Sequence, residues 1–311
     1  MKIFSRLKDT YKNTVTMRRM IEELYTEIKA LRNEIAVLRS ERLKTEDVIY
    51  NMIASLSMHD NDAKKSLSYS NIRTLHQLLP VYDVKDRNFI RLGGSELEED
   101  GGYVMIDEFS PSMLAYSFGI NRDVSWDKEM AIRNIPCFMY DHTIDNLPEE
   151  NPLFHWKKTG ISGNAPVTDC KTLANLITEN DHTNRQDMIL KMDIEGAEWD
   201  ALDDTDSQVL DQFCQMIIEF HDMCNPSKFG KICSVFAKLA KTHCCVHVHG
   251  NNWAAYHRVG GLVMPYVLEA TFVRKKDHDF VLNNHCYPRE NDRPNRSGRV
   301  DIELGIWNKD R

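Results

Sequence analysis

A chain of 311 residues, 42% hydrophobic and 28% charged, is long and apolar enough for one sizeable globular domain plus an appendage, which excludes a disordered or fibrous protein. Its 47 acids against 39 lysines and arginines give a net charge of -8, and no Lys/Arg stripe marks the globular part, so nucleic acid is not expected as a partner: neutralising phosphates needs a basic face. The 8 cysteines show no CxxC spacing and read as reduced thiols rather than a disulfide framework; without an export core or an apolar run near the roughly 18 residues that cross a bilayer, the expected location is cytoplasmic and no transmembrane segment is expected.

The N-terminal segment is basic: Lys2, Arg6, Lys8, Lys12, Arg18 and Arg19 face the single acid Asp9. That pattern is compatible with loose contact to an anionic membrane surface, a solvated helix start being the plainer reading. A heptad follows over 17–56, with Ile21, Ile28, Ile35, Ile49 and Leu56 at a, and Met17, Leu24, Leu31, Leu38 and Met52 at d; Arg42 and Thr45 interrupt it. Isoleucine at a with leucine at d favours a parallel two-stranded coiled coil, and this register sets Glu27 against Arg32 and Glu34 against Arg39 across the seam. The expectation is a homodimer on a stalk on the order of 60 Å. A long amphipathic helix folded back on its own domain is the alternative. Residues 1–56 are thus the basic N-terminus and coiled-coil helix, the polar stretch 57–70 a linker, and 71–311 the globular domain.

From Leu114 onward, apolar runs alternate with helix-length segments, the pattern of repeated βα units and a parallel sheet. Strands are expected at 114–119, 136–141, 154–158, 188–193 and 214–220, and helices near 124–134, 169–180, 197–211 and 227–242. Cys244–His249 and Val267–Arg274 are strand-like runs separated by an irregular loop with no crossover helix, so they should pair antiparallel. The fold class is α/β: a Rossmann-like sheet of parallel strands plus a terminal antiparallel hairpin, preceded by a long helix. A plain dinucleotide-binding domain would continue with a helix instead.

The run 188–193 ends on Asp193, at the carboxyl end of a buried strand, where open α/β sheets bind small molecules. Gly119 closes the first strand, and Asp141 closes the second about 20 residues later, as suits an acid that bonds ribose hydroxyls; as a bare turn acid it is equally well explained. Ile120, Asn121, Arg122 and Asp123 stand where a GxGxxG phosphate loop would be, so a pyrophosphate fits badly and a nucleotide-sugar or NAD enzyme is disfavoured. S-adenosylmethionine has a ribose and no phosphate.

Lys191-Met192-Asp193-Ile194-Glu195-Gly196-Ala197-Glu198 closely resembles the Lys-x-Asp-x-Glu-Gly-Ala-Glu signature of FkbM-type methyltransferases. Arg91-Leu92-Gly93-Gly94 with Asp100-Gly101-Gly102-Tyr103, Tyr116 to Ile120 with Asp123 to Trp126, and Tyr140 to Ile144 resemble a branch of the same superfamily; the likeness covers roughly 88–305. It implies a class I methyltransferase fold, S-adenosylmethionine as donor and a hydroxyl acceptor on a sugar, glycan precursor or related small molecule. By position, Ser117, Phe118 and Gly119 would border the donor's methionine part, Asp141 its ribose and Ile161, between Gly160 and Ser162, its adenine; Asp193 would lie near the sulfonium and the acceptor. Ser117-Phe118-Gly119 departs from the family's usual acid and glycine-rich loop. Asp100 to Tyr103 would fold over the site as a flap or simply turn a hairpin.

An attacking alcohol must lose its proton, so a base is expected beside Asp193. Ile217 to Asp222 alternates so that Glu219 and His221 point to one face, which makes His221 the preferred base, with Glu219 and Asp193 beside it. His249, with Asn251 and Asn252 after it, is the candidate for binding a polyhydroxylated substrate. Asp193, Glu219 and His221 are alternatively ligands of a divalent metal, of Mn²⁺ or Zn²⁺ type rather than Mg²⁺. Trp126, Trp199 and Trp253 are candidate sugar-stacking platforms, although core packing explains such residues as well. The rival to an enzyme is a coiled-coil interaction protein whose methyltransferase-like domain is catalytically inactive.

Overall fold

The computed structural model describes residues 67–94 and 100–309; the basic segment, the expected coiled coil and most of the expected linker lie outside them. Helix α1 (Tyr69–Leu78) begins inside the span read as linker, with the Ser68 hydroxyl accepting from Asn71 N at 3.2 Å and capping it. Ile72 and Leu75 on its inner face, and Leu67 before it, are buried in the main core.

Seven strands form one sheet: β1 (Leu114–Phe118), β2 (Cys137–Tyr140), β3 (Phe154–Lys157), β4 (Met188–Met192), β5 (Phe213–Phe220), β6 (His243–Gly250) and β7 (Leu268–Arg274). In space they run β6, β7, β5, β4, β1, β2, β3. The five from β3 to β5 are parallel, and β7 lies antiparallel between β5 and β6. The expected terminal hairpin is therefore present, with β7 inserted so that its two neighbours run the same way. This largely parallel mixed sheet is compatible with the Rossmann-like methyltransferase fold.

The helices α2 (Ser125–Ile132), α3 (Leu173–Glu179), α4 (Glu198–Asp204), α5 (Ser207–Leu210) and α6 (Phe229–Thr242) connect the strands. The single helix expected over 197–211 is two, because Thr205 is extended and Asp206 accepts from Gln208 N at 2.7 Å to cap a new start. The helix expected from 169 begins at Leu173, since Cys170–Lys171 pairs with Gly160–Ile161. The loop between β6 and β7 is not irregular throughout: it holds a hairpin, Tyr256–Val259 with Leu262–Pro265. All eight cysteines are unpaired, and no helix among the described residues is long and apolar enough to cross a membrane.

Alternation along the strands divides the core in two. Tyr116, Phe118, Leu190, Met192, Ile218 and Phe220 face one side with α6, while Ala115, Ile189 and Ile217 face the other. On that second side lies the hairpin Phe89–Leu92 with Tyr103–Ile106, whose Tyr103 and Met105 join the smaller core. The same parity puts Ser117, Lys191, Asp193 and Glu219 on the hairpin's side. The register then adds Glu269, opposite Glu219, and His249, opposite Glu269.

Candidate functional site

The carboxyl ends of β1 and β4 meet at an unusually close backbone contact. Gly119 has φ +76, and a Cβ there would fall 1.5 Å from the Asp193 carbonyl oxygen, so glycine alone lets the chain leaving β1 turn against the chain leaving β4. Lys191 Nζ, largely buried, donates to Gly119 O at 2.7 Å and clamps the same turn from beneath. Above it opens a cavity of about 360 Å³, lined by Asp100, Tyr103, Gly119, Arg122, Lys191, Asp193 and their neighbours. That volume is within the range of small-molecule sites.

After Asp193 the backbone takes two left-handed steps, Glu195 at φ +56 and Gly196 at φ +101. Glu198, wholly buried, fixes them: its Oε1 accepts from Ile194 N at 3.0 Å and Gly196 N at 3.1 Å. The same oxygen takes His221 Nδ1 at 2.9 Å, and Trp199 Nε1 donates to His221 O at 2.7 Å. A carboxylate only accepts, so His221 Nδ1 carries the proton and Nε2 is the atom turned to the site. His221 Nε2 stands 3.9 Å from Asp193 Oδ1, 3.9 Å from Glu219 Oε1 and 3.4 Å from Glu195 Oε2.

The Tyr103 hydroxyl lies between the other carboxylate oxygens, 3.4 Å from Asp193 Oδ2 and 3.2 Å from Glu219 Oε2. Asn251 Nδ2 donates to Glu219 Oε1 at 2.9 Å and to Asp100 Oδ1 at 3.3 Å, and Asn295 Nδ2 donates to Asp100 and Glu269. Negative charge crowded into a dry place sets the protonation. Burial lifts Asp193 to about 6, against the opposing pull of Lys191 and His221. Burial, with Asp193, Glu269 and Asp100 around it, pushes Glu219 well above the usual carboxylate range. Burial lowers His221, but the Glu198 hydrogen bond and the surrounding carboxylates overcome it and raise the imidazole to about 8.

Of the residues expected from sequence, the structure brings Gly119, Asp193, Glu219 and His221 together. It moves several others. The Ser117 and Phe118 side chains are buried in the core, Phe118 stacked on Tyr140 at 5.2 Å, so the face offered at this strand end is the backbone from Gly119 to Asp123. Ile161 is buried and does not line the cavity. His249 is buried between Glu269 and Asp301, and Asn252 clamps the loop at Arg296 to Val300; both hold structure rather than face a ligand. Asn251 reaches the site through Glu219. Trp126 and Trp199 are core residues, and Trp253, 45% exposed with the Arg296 guanidinium 4.6 Å from its ring, is the one tryptophan of the three open to a sugar.

Asp141 also departs from its expected role. Its Oδ2 accepts from Ile120 N and Asn121 N at 2.9 Å each, and its Oδ1 from Thr143 N at 2.7 Å and Thr143 Oγ1 at 2.6 Å. Four donors fill a carboxylate's acceptor sites, so the acid anchors the loop that follows Gly119. Burial opposes the charge, but these donors outweigh it and hold Asp141 below its ordinary 3.8. A depressed pKa gives stability that is present above 3.8 and lost as pH falls through the folded value. Asp141→Ala should therefore cost about 1–3 kcal/mol at pH 7 and progressively less below pH 4, read by urea unfolding at both pH values. A constant difference would remove the anchor.

Sequence reasoning passed over Lys191 and Glu198, although both lie inside the quoted signature, because only Asp193 was read from it as chemistry. Tyr103 and Asp100 gave a weaker signal, their Gly-Gly turn.

Residues 116–243 match the family described as Methyltransferase FkbM domain. The match supports a methyltransferase. Its span runs from within β1 to the start of β6 and carries Gly119, Asp141, Lys191, Asp193, Glu198, Glu219 and His221, but stops short of Tyr103 on one side and Asn251 on the other. Comparison with curated proteins finds no match.

Proposed function

We propose that the protein is an S-adenosylmethionine-dependent O-methyltransferase acting on a hydroxyl of a sugar, glycan precursor or related small molecule. The observation that carries this reading is the cavity where the Gly119 turn, Lys191 and Asp193 converge, with the His221 imidazole 3.9 Å from the Asp193 carboxylate that lines it. The donor fits what is there: backbone without a phosphate loop, and carboxylates suited to a cationic ligand. When bound, S-adenosylmethionine supplies an activated methyl on a sulfonium that leaves as a neutral thioether.

The chain's own work is alignment and proton removal. Asp193, beside His221, would take the proton that an acceptor hydroxyl must lose, and the Gly119 to Asp123 backbone with Asp193 would hold the donor's methyl against that oxygen. Holding the reactants in line is worth on the order of 7–11 kcal/mol, and a placed base a further ~10²–10⁴-fold. Tyr103 and Asn251 orient Glu219, Glu198 orients His221, and Trp253 offers an aromatic face to a sugar ring. The heptad over 17–56 would pair two such domains, an arrangement that light scattering on the full chain tests directly.

A second reading, a methyltransferase-like domain without catalysis, is favoured by the Asp141 carboxylate being filled by its own loop. Thermal melting with S-adenosylhomocysteine decides between them. An enzyme's melting temperature should climb steadily with ligand, equivalent to about 2.7 kcal/mol at a hundredfold excess over Kd. A melting curve that ignores the ligand would leave the second reading standing.

A further inference from the structure

Three side chains at the ends of β4 and β5 each turn one donor atom toward the same point. These are Asp193, Glu219 and His221: one ligand atom of each lies within 4.8 Å of the others, and His221 Nε2 stands nearest Asp193 Oδ1 and Glu219 Oε1. Two of the separations are 3.9 Å, too long for hydrogen bonds. An ion with bonds of about 2.1 Å holds ligand atoms up to ~4.2 Å apart, so those separations already suit shared coordination.

The orientation of each donor is imposed from outside the group. Tyr103 engages Asp193 Oδ2 and Glu219 Oε2, which leaves the opposite oxygen of each carboxylate facing His221. Glu198 holds His221 by Nδ1 and so presents Nε2. An imidazole fixed through its second nitrogen by a buried carboxylate is the usual outer support of a metal-bound histidine. Asn251 adds one hydrogen bond to Glu219 Oε1, which retains lone-pair capacity. The neighbouring trio Asp100, Glu219 and Glu269 converges as closely, but the Asn295 amide donates to both Asp100 and Glu269 within it.

We propose that Asp193, Glu219 and His221 bind one divalent cation of the Mn²⁺ or Zn²⁺ class, with Asp193 the ligand that also lines the cavity. Two carboxylates and one imidazole select such an ion over Mg²⁺. The purpose of the site rests on the methyltransferase reading above: an ion held by these three groups would lower the pKa of an acceptor hydroxyl and hold vicinal hydroxyls in one orientation.

The experiment uses the full chain and Mn²⁺ alone, with free ion counted by electron paramagnetic resonance and S-adenosylhomocysteine melting run in parallel. One Mn²⁺ per chain is expected, with affinity lowered at least ~10-fold by Glu219→Gln and by His221→Gln, and unchanged in Glu269→Gln. The two ligand variants are independent, so a folding failure in one leaves the other to report. No saturable Mn²⁺ binding overturns the proposal, as does binding that survives His221→Gln and fails in Glu269→Gln. Stabilisation by S-adenosylhomocysteine without ion binding would sink the cation site and leave the methyltransferase reading intact; the reverse would do the opposite.

Discussion

Glu198→Ala should lower stability by about 3–5 kcal/mol, the loss expected when one member of a buried charged pair is removed. The residue is wholly buried, and a single oxygen serves three donors: two backbone amides of the turn after Asp193 and the His221 imidazole. Alanine leaves all three part-buried donors without their acceptor, and each donor left unpaired away from water costs about 1–3 kcal/mol. It also frees a turn that holds a non-glycine residue, Glu195, at φ +56, a conformation that persists only where its surroundings enforce it. Glu198→Gln keeps a carbonyl oxygen for those donors and should cost about 1–3 kcal/mol, because Glu198 Oε2 has no partner of its own for the new amide to replace. Urea unfolding of the three proteins measures both differences. A loss under about 1 kcal/mol in the alanine variant would mean that the turn is held by something other than this carboxylate.

The strands were legible because parallel strands buried on both faces read as continuous apolar runs bounded by polar turns. Met188 to Met192 and Phe213 to Phe220 have that form, and both were expected within a residue or two of where they end. The antiparallel pairing of β6 and β7 followed from the missing crossover helix. The place of β7 beside β5 did not, since nothing in the local pattern tells a strand which neighbour to take. The Gly-Gly turn before Tyr103 was legible as a flap or a hairpin, but the partners of the Tyr103 hydroxyl, Asp193 and Glu219, were not, because they are 90 and 116 residues away.

Site residues divide along the same line. Asp193, Glu219 and His221 could be expected close together because strand parity is a local rule that aims side chains at one face of the sheet, and the structure places His221 Nε2 3.9 Å from each of the two carboxylates. Asp141 and His249 were given ligands where the structure gives them internal partners, the Ile120–Asn121 amides for one and Glu269 with Asp301 for the other. A polar side chain at a strand end has the same sequence signature whether it faces a ligand or ties down a loop. Only the fold shows which donors reach it first.

His249→Leu should cost about 3–5 kcal/mol near neutral pH, and the loss should shrink as pH rises. His249 Nδ1 lies 2.9 Å from Glu269 Oε2, while Nε2 lies 3.0 Å from both oxygens of Asp301. Carboxylates on both ring nitrogens require both to be donors, so geometry alone makes this side chain an imidazolium. Burial works against the charge, but Glu269 and Asp301 outweigh it and hold the folded pKa well above 6.5. A raised pKa gives stability fully present below 6.5 and lost as pH climbs through the folded value, by up to about 1.4 kcal/mol per pH unit in that window. Urea unfolding of wild type and variant at pH 6.5, 8 and 9.5 isolates this group, because other alkaline titrations occur in both proteins and cancel in the difference. A gap between them that stays constant with pH would show a neutral His249 and return Glu269 to the uncompensated charges. Glu269 pairs in register with Glu219, so its full negative charge would then fall on the carboxylate that faces His221.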